Sequence, residues 1–459
     1  MALVRDEISN AEAFLAARPA VRVVDLLLPD LCGVLRGKRV DKSDLPGVYQ
    51  RGMFLPGSMF ALDVLGGTIQ TTGLGFDEGD ADRACVPVPN SLFPSPWMGP
   101  SVAQLQVQML DHDGGPFYGD PRHLLDAVLD RYAARGLTPV VAVELEFYLV
   151  DVERTAAGHA QPPRSRYTGR RENRTQVNSM TDLESVSDIL SEITAACEAQ
   201  GVPTGAALAE CGPNQWEVNL RHVGDVRQAC DQAIRFKRIV KGVAHRNGIE
   251  ATFMAKPYAD APGSGMHMHV SVLDRNGQNV FASEDALGND TLKQSAAGLL
   301  ETMADGMAIF APNANSYRRL RPELYVPMNA TWGYNNRGVA VRVPVSGAAD
   351  RRLEHRVSGA DANPYLVAAA VLAGMLHGIE RKLAPPPPLV GNAYTQRLTA
   401  PKLPGDWPTA LTRFGESAFL REYFGERFVT LYERTRRGEM QDFNSRLTAL
   451  DYSWYLEQV

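Results

Sequence analysis

Residues 141–149 are the part of the sequence that most restricts the possible fold. Their side chains alternate with a two-residue period, which predicts a β-strand. Glu144 and Glu146 then share one face, and the opposite face carries Val143, Leu145, Phe147 and Leu149. Two carboxylates on an otherwise apolar strand repel each other and lose hydration, and a divalent cation between them removes both penalties. The alternative is a strand whose polar face simply meets solvent.

The composition bounds the class of protein. A chain of 459 residues can hold two domains, and its net charge of −6 gives no argument for nucleic acid or an anionic membrane as a partner. The cysteines lack C-x-x-C spacing, which is typical of reduced thiols in a cytosolic protein. The N-terminus carries charges where a signal peptide needs an apolar core, and no apolar run could span a bilayer. We therefore expect a soluble, cytoplasmic protein.

Two regions differ in their periodicity. Residues 1–105 contain a β-branched strand pattern at 21–28, a second strand at 31–40 that is predicted to form a hairpin with it, and then a stretch rich in Gly and Pro, which together predict a compact, mostly β N-terminal domain. Residues 106–459 mix helical and strand patterns, including predicted helices at 121–134, with Asp120 as the cap and Pro121 at the first helical position, and at 182–200. This organisation favours an α+β or α/β fold with a small first domain and a large second one.

Two further segments carry metal-ligand chemistry. In residues 210–220, Gly212 and Pro213 break the extended chain, so Glu210 and Glu217 can face one point from two strands of a bent hairpin. In residues 263–271, His267, His269 and Ser271 share one strand face. An H-x-H pair on a strand is a frequent metal or phosphate site, and it is as often a pair of core histidines.

Residues 313–356 combine eight arginines with apolar residues. On a strand, Arg352, Glu354 and Arg356 would share one face. A row of guanidinium groups in a cleft binds phosphate and carboxylate, although a structural ion-pair network is an equal alternative. Carboxylates with one imidazole suit Mg²⁺ or Mn²⁺ better than Zn²⁺, and such ions with an arginine clamp serve phosphoryl transfer. With no Walker A loop present, the residues indicate an ATP-using, divalent-metal enzyme.

At these residues the sequence resembles the glutamine synthetase family along nearly its whole length. The matching segments are 144–146, 210–217, 256–269, 315–320, 336–337, 342–344, 352–356 and 363–366. The resemblance implies an α+β fold, with a β-grasp N-terminal domain and a catalytic domain that has a curved antiparallel sheet flanked by helices. It also implies a homododecamer of two stacked hexameric rings with active sites between subunits.

The resemblance assigns roles to individual residues. One metal would be held by Glu146, Glu210 and Glu217, and a second, on the nucleotide phosphates, by Glu144, His267 and Glu354. Glutamate would be bound by Glu146, Gly263, Arg319 and Arg356. ATP would be contacted by His269, Ser271, Arg342 and Arg352, with Arg337 stabilising the transferred phosphate. Two to three Mg²⁺ or Mn²⁺ ions per site are implied, with ATP as co-substrate.

Two departures from the family pattern concern the nucleophile. Ammonia-using members read R-L-x-P-G-Y-E-A-P where this chain has Tyr325 in place of the Glu, and M-F-D-G-S-S where it has Leu55 or Pro56 in place of the Asp. Loss of both acids removes the attraction for a small cation and leaves a more apolar pocket. The pattern is most similar to the γ-glutamylputrescine synthetase branch of the family.

The resulting expectation is a ligase that joins the γ-carboxyl of L-glutamate to an alkylamine, diamine or polyamine through γ-glutamyl phosphate, in amine catabolism or detoxification. The alternatives are an ammonia-using glutamine synthetase and a non-catalytic regulatory relative. The expected amine pocket comprises Phe54, Leu55, Pro56 and Tyr325, and Asp63 and Glu323 are candidates to bind a distal ammonium group. The amine itself, and the group that deprotonates it, stay open.

Overall fold

The computed structural model describes residues 2–173, 176–322, 324–395 and 399–459. Its strands are β1 (Val23–Pro29), β2 (Leu35–Asp41), β3 (Met53–Pro56), β4 (Asp82–Pro94), β5 (Val102–Met109), β6 (Thr138–Asp151), β7 (Thr204–Ala209), β8 (Gln215–Leu220), β9 (Ile249–Thr252), β10 (Met266–Leu273), β11 (Trp332–Tyr334), β12 (Val341–Val343) and β13 (Leu353–His355).

Its α-helices are α1 (Ala2–Ala16), α2 (Leu45–Arg51), α3 (Pro121–Ala133), α4 (Met180–Ser185), α5 (Ser187–Ala199), α6 (Val226–Arg246), α7 (Asp290–Thr302), α8 (Met307–Phe310), α9 (Pro364–Arg381), α10 (Trp407–Glu416), α11 (Ala418–Phe424), α12 (Glu426–Ser445) and α13 (Ala449–Tyr455). No helix in the described part of the chain is both long and apolar enough to span a membrane.

A five-stranded mixed sheet forms the N-terminal part of the fold. Its order is β2-β1-β5-β4-β3, with β1 and β5 parallel and the other pairs antiparallel. The predicted hairpin is present, since β1 pairs with β2 from Val23↔Asp41 to Pro29↔Leu35. Residue 105, the expected end of the first domain, lies inside β5, which pairs with β1 far away in sequence.

A second sheet of eight strands carries the rest of the fold. Its order is β11-β12-β13-β10-β6-β8-β7, with β9 added beside β6, and all pairs except β11–β12 are antiparallel. The central strand β6 is paired with β10 on one side and with β8 and β9 on the other. Residues 141–149 therefore lie in the middle of a helix-backed sheet, which confirms the α+β prediction.

Helix α9 is the centre of the helical layer. Its residues 364–378 are buried on every side, and it packs against α3, α6 and α7. Asp120 and Asn363 cap α3 and α9 with side-chain oxygens, and each is followed by a proline at the first helical position. The predicted single helix 182–200 is instead divided into α4 and α5. The division is at Val186, whose buried, β-branched side chain accompanies a backbone (φ −121°, ψ 13°) outside the helical region.

A buried polar network joins the N-terminal sheet to the helical layer. The amide of Gln106 in β5 donates to Asp231 of α6 (2.9 Å) and to the Tyr365 hydroxyl of α9 (2.7 Å). Tyr365 donates to Asp231 as well, and Arg122 of α3 forms an ion pair with that carboxylate at 3.2 Å. A buried network whose members satisfy one another rigidifies the elements that supply them. The N-terminal sheet is thereby fixed to helices α3, α6 and α9.

Candidate active site

Strand register places most of the predicted ligands on one face of the large sheet. Glu144 lies directly opposite His267, Glu146 lies opposite Glu217, and His269 lies opposite Glu354. Residues directly opposite one another on antiparallel strands have side chains on the same face and in contact. The other face of β6 is closed by the buried side chains of Val143, Leu145, Phe147 and Leu149. Glu217, His267, His269 and Glu354 on the polar face are buried too, so this face is not a solvated strand surface.

The turn between β7 and β8 brings Glu210 to the same place. The Glu210 N–H donates to the Gln215 carbonyl (2.9 Å), which closes the hairpin across residues 211–214. The Gln215 amide donates to Glu146 (3.2 Å) and to the Gly263 carbonyl (3.1 Å), a role that the sequence did not indicate.

Three groups of side chains could each hold a metal ion, with ligand atoms within 4.8 Å of one another. They are Glu146, Glu210 and Glu217; Glu144, Glu217 and His267; and Glu144, His269 and Glu354. The first group is the expected glutamate-side set. The expected second set divides between the other two groups, and His269 joins them because its Nε2 lies 3.0 Å from a Glu144 oxygen. The H-x-H spacing of His267 and His269 indicated that both histidines share one face, but it did not distinguish a metal ligand from a residue that contacts the nucleotide.

Crowding of the carboxyl groups shifts their pKa values in opposite directions. Burial, followed by the charge of Glu146, raises the pKa of Glu210 to about 7. Burial and the charges of the neighbouring glutamates raise the pKa of Glu217 to about 9. Burial acts to raise the pKa of Glu144 too, but hydrogen bonds from His267 and His269 hold it far below its usual range. Carboxyl groups that retain protons near neutrality mark a place that lacks positive charge, so this donor set fits hard divalent cations.

Glu354 lies between two arginines. Its side chain is 1% exposed, and its oxygens accept hydrogen bonds from Arg342 (2.7 Å) and Arg356. Burial opposes ionisation, but Arg356, the two histidines and Arg342 together lower the pKa of Glu354 to about 2. Glu354 is therefore an ionised, buried anchor for both guanidinium groups.

The arginines that the resemblance assigns to glutamate and ATP keep donors free. Arg319, Arg342 and Arg356 each have a buried Nε without a hydrogen-bond partner among the residues that the structure describes. Buried donors normally find a partner, so such atoms point to an anionic ligand. Arg352 lies beside His269 (Nε to Nδ1, 3.3 Å), Ser271 follows two positions along β10, and Arg337 is exposed on the loop between β11 and β12.

Arg319 is positioned by its own segment and by glycines. Its Nη1 donates to the Val357 carbonyl (2.8 Å), and Asp361 accepts from Ser316 (2.6 Å) just before it. A Cβ at Gly265 would lie 2.9 Å from Arg319 Nη2, 3.1 Å from His267 Nε2 and 3.3 Å from Glu146 Oε1. A side chain at position 265 would crowd the point at which these three side chains meet.

The expected amine-pocket residues lie on two parts of the chain. Phe54, Leu55 and Pro56 belong to β3 in the N-terminal sheet, and Tyr325 lies in the loop of residues 324–327, which we call the flap. Leu55 is 6% exposed and packs in the core, whereas Phe54 (50%) and Tyr325 (62%) are exposed.

Of the two candidates for binding a distal ammonium group, the structure describes only Asp63. Asp63 accepts hydrogen bonds from the N–H groups of Leu65 and Gly67, so it closes its own loop. Glu323 lies outside the described residues.

The chain is similar to known proteins over most of its length. A family model described as the catalytic domain of glutamine synthetase matches residues 118–455. A γ-glutamylputrescine synthetase from Escherichia coli (strain K12) is 42% identical over 451 residues, covering 98% of this chain and 95% of the relative. A glutamate–isopropylamine ligase from Pseudomonas sp. is 33% identical, with 94% of each chain covered.

The fold has solved counterparts. A structure described as a GmaS/ADP complex is 28% identical, with a TM-score of 0.84 over 97% of this chain and 99% of that one. Both the family model and the relatives extend over most of the sequence, and the ligand set described above falls within the matched region. This chain belongs to the glutamine synthetase family.

Proposed function

We propose that the protein is an ATP-dependent ligase that joins the γ-carboxyl of L-glutamate to an alkylamine or diamine through γ-glutamyl phosphate. The observation that carries the proposal is a set of side chains on one sheet face that could hold metal ions, next to three arginines whose Nε atoms are buried without a hydrogen-bond partner among the described residues. A carboxylate resists attack by an amine until its oxygen becomes part of a leaving group, and phosphoryl transfer from ATP supplies that leaving group.

The side chains divide the work between two substrates. Bound Mg²⁺ or Mn²⁺, at two to three ions per site, would neutralise charge on the phosphates and on the developing acyl phosphate. Glu146, Glu210 and Glu217 would hold the ion on the glutamate side. The ions on the nucleotide side would be shared by Glu144, His267, His269 and Glu354.

The arginines would orient the reacting groups. Arg319 binds the glutamate α-carboxylate, close to the Gly263 backbone, and Arg356 contacts the γ-carboxylate from its fixed position on Glu354. Arg342, Arg352 and Arg337 bind the phosphates, with Ser271 along the nucleotide. Because Arg342 and Arg356 are anchored by one carboxylate, the phosphate donor and its acceptor would be aligned by a single rigid unit.

An organic amine, not ammonium, is the proposed nucleophile. Tyr325 occupies the flap position at which ammonia-using members carry Glu, and its phenol supplies no negative charge for ammonium. The two relatives described above are named for putrescine and for isopropylamine, both of which are organic amines.

A phosphate-release assay with several nucleophiles tests the proposal. Putrescine, spermidine, ethanolamine, isopropylamine and ammonium are compared at equal concentration with saturating ATP, glutamate and Mg²⁺, and the γ-glutamylamide is identified by mass spectrometry. We expect at least one amine to exceed ammonium by more than tenfold. Glu217→Gln should abolish turnover, whereas Glu250→Gln, an exposed residue paired with Arg154, should leave it unchanged.

The same assay separates the alternatives. Faster phosphate release with ammonium than with every amine would identify an ammonia-using glutamine synthetase. No metal-dependent ATP turnover with any nucleophile would identify a regulatory relative without catalytic activity. We further propose a cytoplasmic homododecamer of two stacked hexamers, which the molar mass in solution would test.

A further inference from the structure

Residues 389–394 contact two loops of the candidate active site, the β11–β12 loop and the flap. The Asn336 amide, next to Arg337, donates to the carbonyls of Leu389 (3.3 Å) and Gly391 (2.9 Å). The Tyr394 N–H then donates to the Asn392 side chain at 2.8 Å, which fixes the turn. The backbone of Tyr394 is thus tied to the loop that carries a proposed phosphate-binding arginine.

The phenol of Tyr394 extends from that segment to the flap. Its hydroxyl donates to the Val326 carbonyl at 3.2 Å. It also lies within electrostatic reach of Arg356 and Arg319 and against the Tyr325 backbone N–H. The ring is partly buried, so one side chain forms a hydrogen bond with the flap while its hydroxyl lies in the electric field of Arg319 and Arg356.

The flap itself needs such a restraint. Tyr325 has a backbone φ of +55°, a left-handed conformation that bulky residues rarely adopt and that persists only where neighbouring groups hold it. Because the Tyr325 side chain is 62% exposed, packing of its own ring supplies little of that restraint. The hydrogen bond to the adjacent Val326 carbonyl is a direct means of holding the strained peptide.

We propose that Tyr394 is a positioning residue that holds the flap over the acyl phosphate and so determines whether an amine or water reaches it. The inference rests on the function proposed above and assigns a role in nucleophile choice to a residue outside the metal and arginine sets.

The two competing reactions differ only in the attacking atom. An amine nitrogen attacks the γ-carbonyl carbon, a C–N bond forms, the C–O bond to phosphate breaks, and the nitrogen loses a proton to solvent. Water attacks the same carbon with its oxygen, which regenerates glutamate and releases phosphate, so ATP is consumed without product. A flap held in place excludes water and favours the first reaction.

The experiment measures phosphate and γ-glutamylputrescine in the same reaction for wild type, Tyr394→Phe and Tyr394→Ala. Tyr394→Phe keeps the ring and removes the hydrogen bond to Val326, a loss that corresponds to about a three- to tenfold change in an equilibrium. We expect the KM for putrescine to rise by about that factor, the yield of amide per phosphate to fall, and the KM for ATP to stay within about twofold. Tyr394→Ala should show a larger loss of amide yield.

Tyr132→Phe is the matched control, because Tyr132 donates to the Leu372 carbonyl at 2.8 Å in the helical layer. Equal amide yields and putrescine KM values in Tyr394→Phe and Tyr132→Phe would refute the inference. So would a uniform rise in all KM values with a lowered Tm, which would indicate a merely structural role. If wild-type phosphate release ignored every amine, the proposed function would fail first, and this inference with it.

Discussion

Replacing Glu354 by glutamine removes the charge that lies between Arg342 and Arg356. In the metal-free protein this leaves two buried guanidinium groups near one neutral amide. Breaking a buried ion pair by removing one partner costs about 3–5 kcal/mol, because the remaining charge stays desolvated. The pKa of Glu354 gives a separate figure, since a fall from 4.5 to about 2 corresponds to about 3 kcal/mol at 1.36 kcal/mol per pH unit.

These figures set the size of the expected shift in stability. At about 2.1 cal/mol/K per residue, a chain of 459 residues unfolds with an entropy of about 1 kcal/mol/K. A loss of about 3 kcal/mol therefore lowers Tm by about 3 °C. Urea denaturation in EDTA at pH 7 should show the same loss as a lower midpoint with an unchanged slope.

The pH dependence of this loss of stability shows whether it comes from the missing charge of Glu354 or from altered side-chain packing. The folded pKa of Glu354 lies below its unfolded value, so its stabilisation is complete above pH 4.5 and disappears as the pH falls towards 2. The difference in the free energy of unfolding between wild type and Glu354→Gln should therefore be smaller at pH 3 than at pH 7. Glu250→Gln, which removes an exposed pair, should cost at most about 1 kcal/mol. A gap below about 1 kcal/mol at pH 7, or one that persists to pH 3, would refute the reasoning.

Three other predictions follow from the site. Gly265→Ala places a Cβ 2.9 Å from Arg319 Nη2, so steady-state kinetics should show the KM for glutamate rising at least about tenfold, and a change within twofold would contradict the close approach. Glu210 and Glu217 have pKa values of about 7 and 9 without metal, so Mg²⁺ must displace their protons when it binds. Calorimetry should therefore show the affinity for Mg²⁺ rising about tenfold per pH unit between pH 7 and 9, and more steeply below pH 7. A Mg²⁺ affinity that does not change with pH would show that Glu210 and Glu217 carry no protons for Mg²⁺ to displace. Tyr325→Glu should raise ammonium-dependent phosphate release relative to that with putrescine, and an unchanged ratio would show that the flap residue does not set the nucleophile.

The local patterns in the sequence were sufficient for the strands of the site. Alternation alone placed Glu144 with Glu146, and His267 with His269, because the two-residue period of a strand is a property of the backbone. The caps of α3 and the β1–β2 hairpin were equally local. The family signature then supplied roles that no local pattern contains.

Register and long-range contact could not be predicted from the sequence. His269 contacts Glu144 because β10 pairs with β6 across more than a hundred residues, and a register shift of one residue would put the two side chains on opposite faces of the sheet. For the same reason the sequence did not reveal that β5 completes the N-terminal sheet. Tyr394 reaches the flap from 68 residues away, and only the folded chain shows that contact.

The buried network of Gln106, Asp231 and Tyr365 has a consequence for engineering. Amine preference invites exchange of N-terminal segments between relatives, because β3 carries departures from the family pattern. A crossover at residue 105 would separate Gln106 from the strand that it completes, and a donor lacking glutamine there would leave Asp231 with fewer partners in the core. Productive chimeras should therefore cross over after Met109 and transfer position 106 together with its two partners.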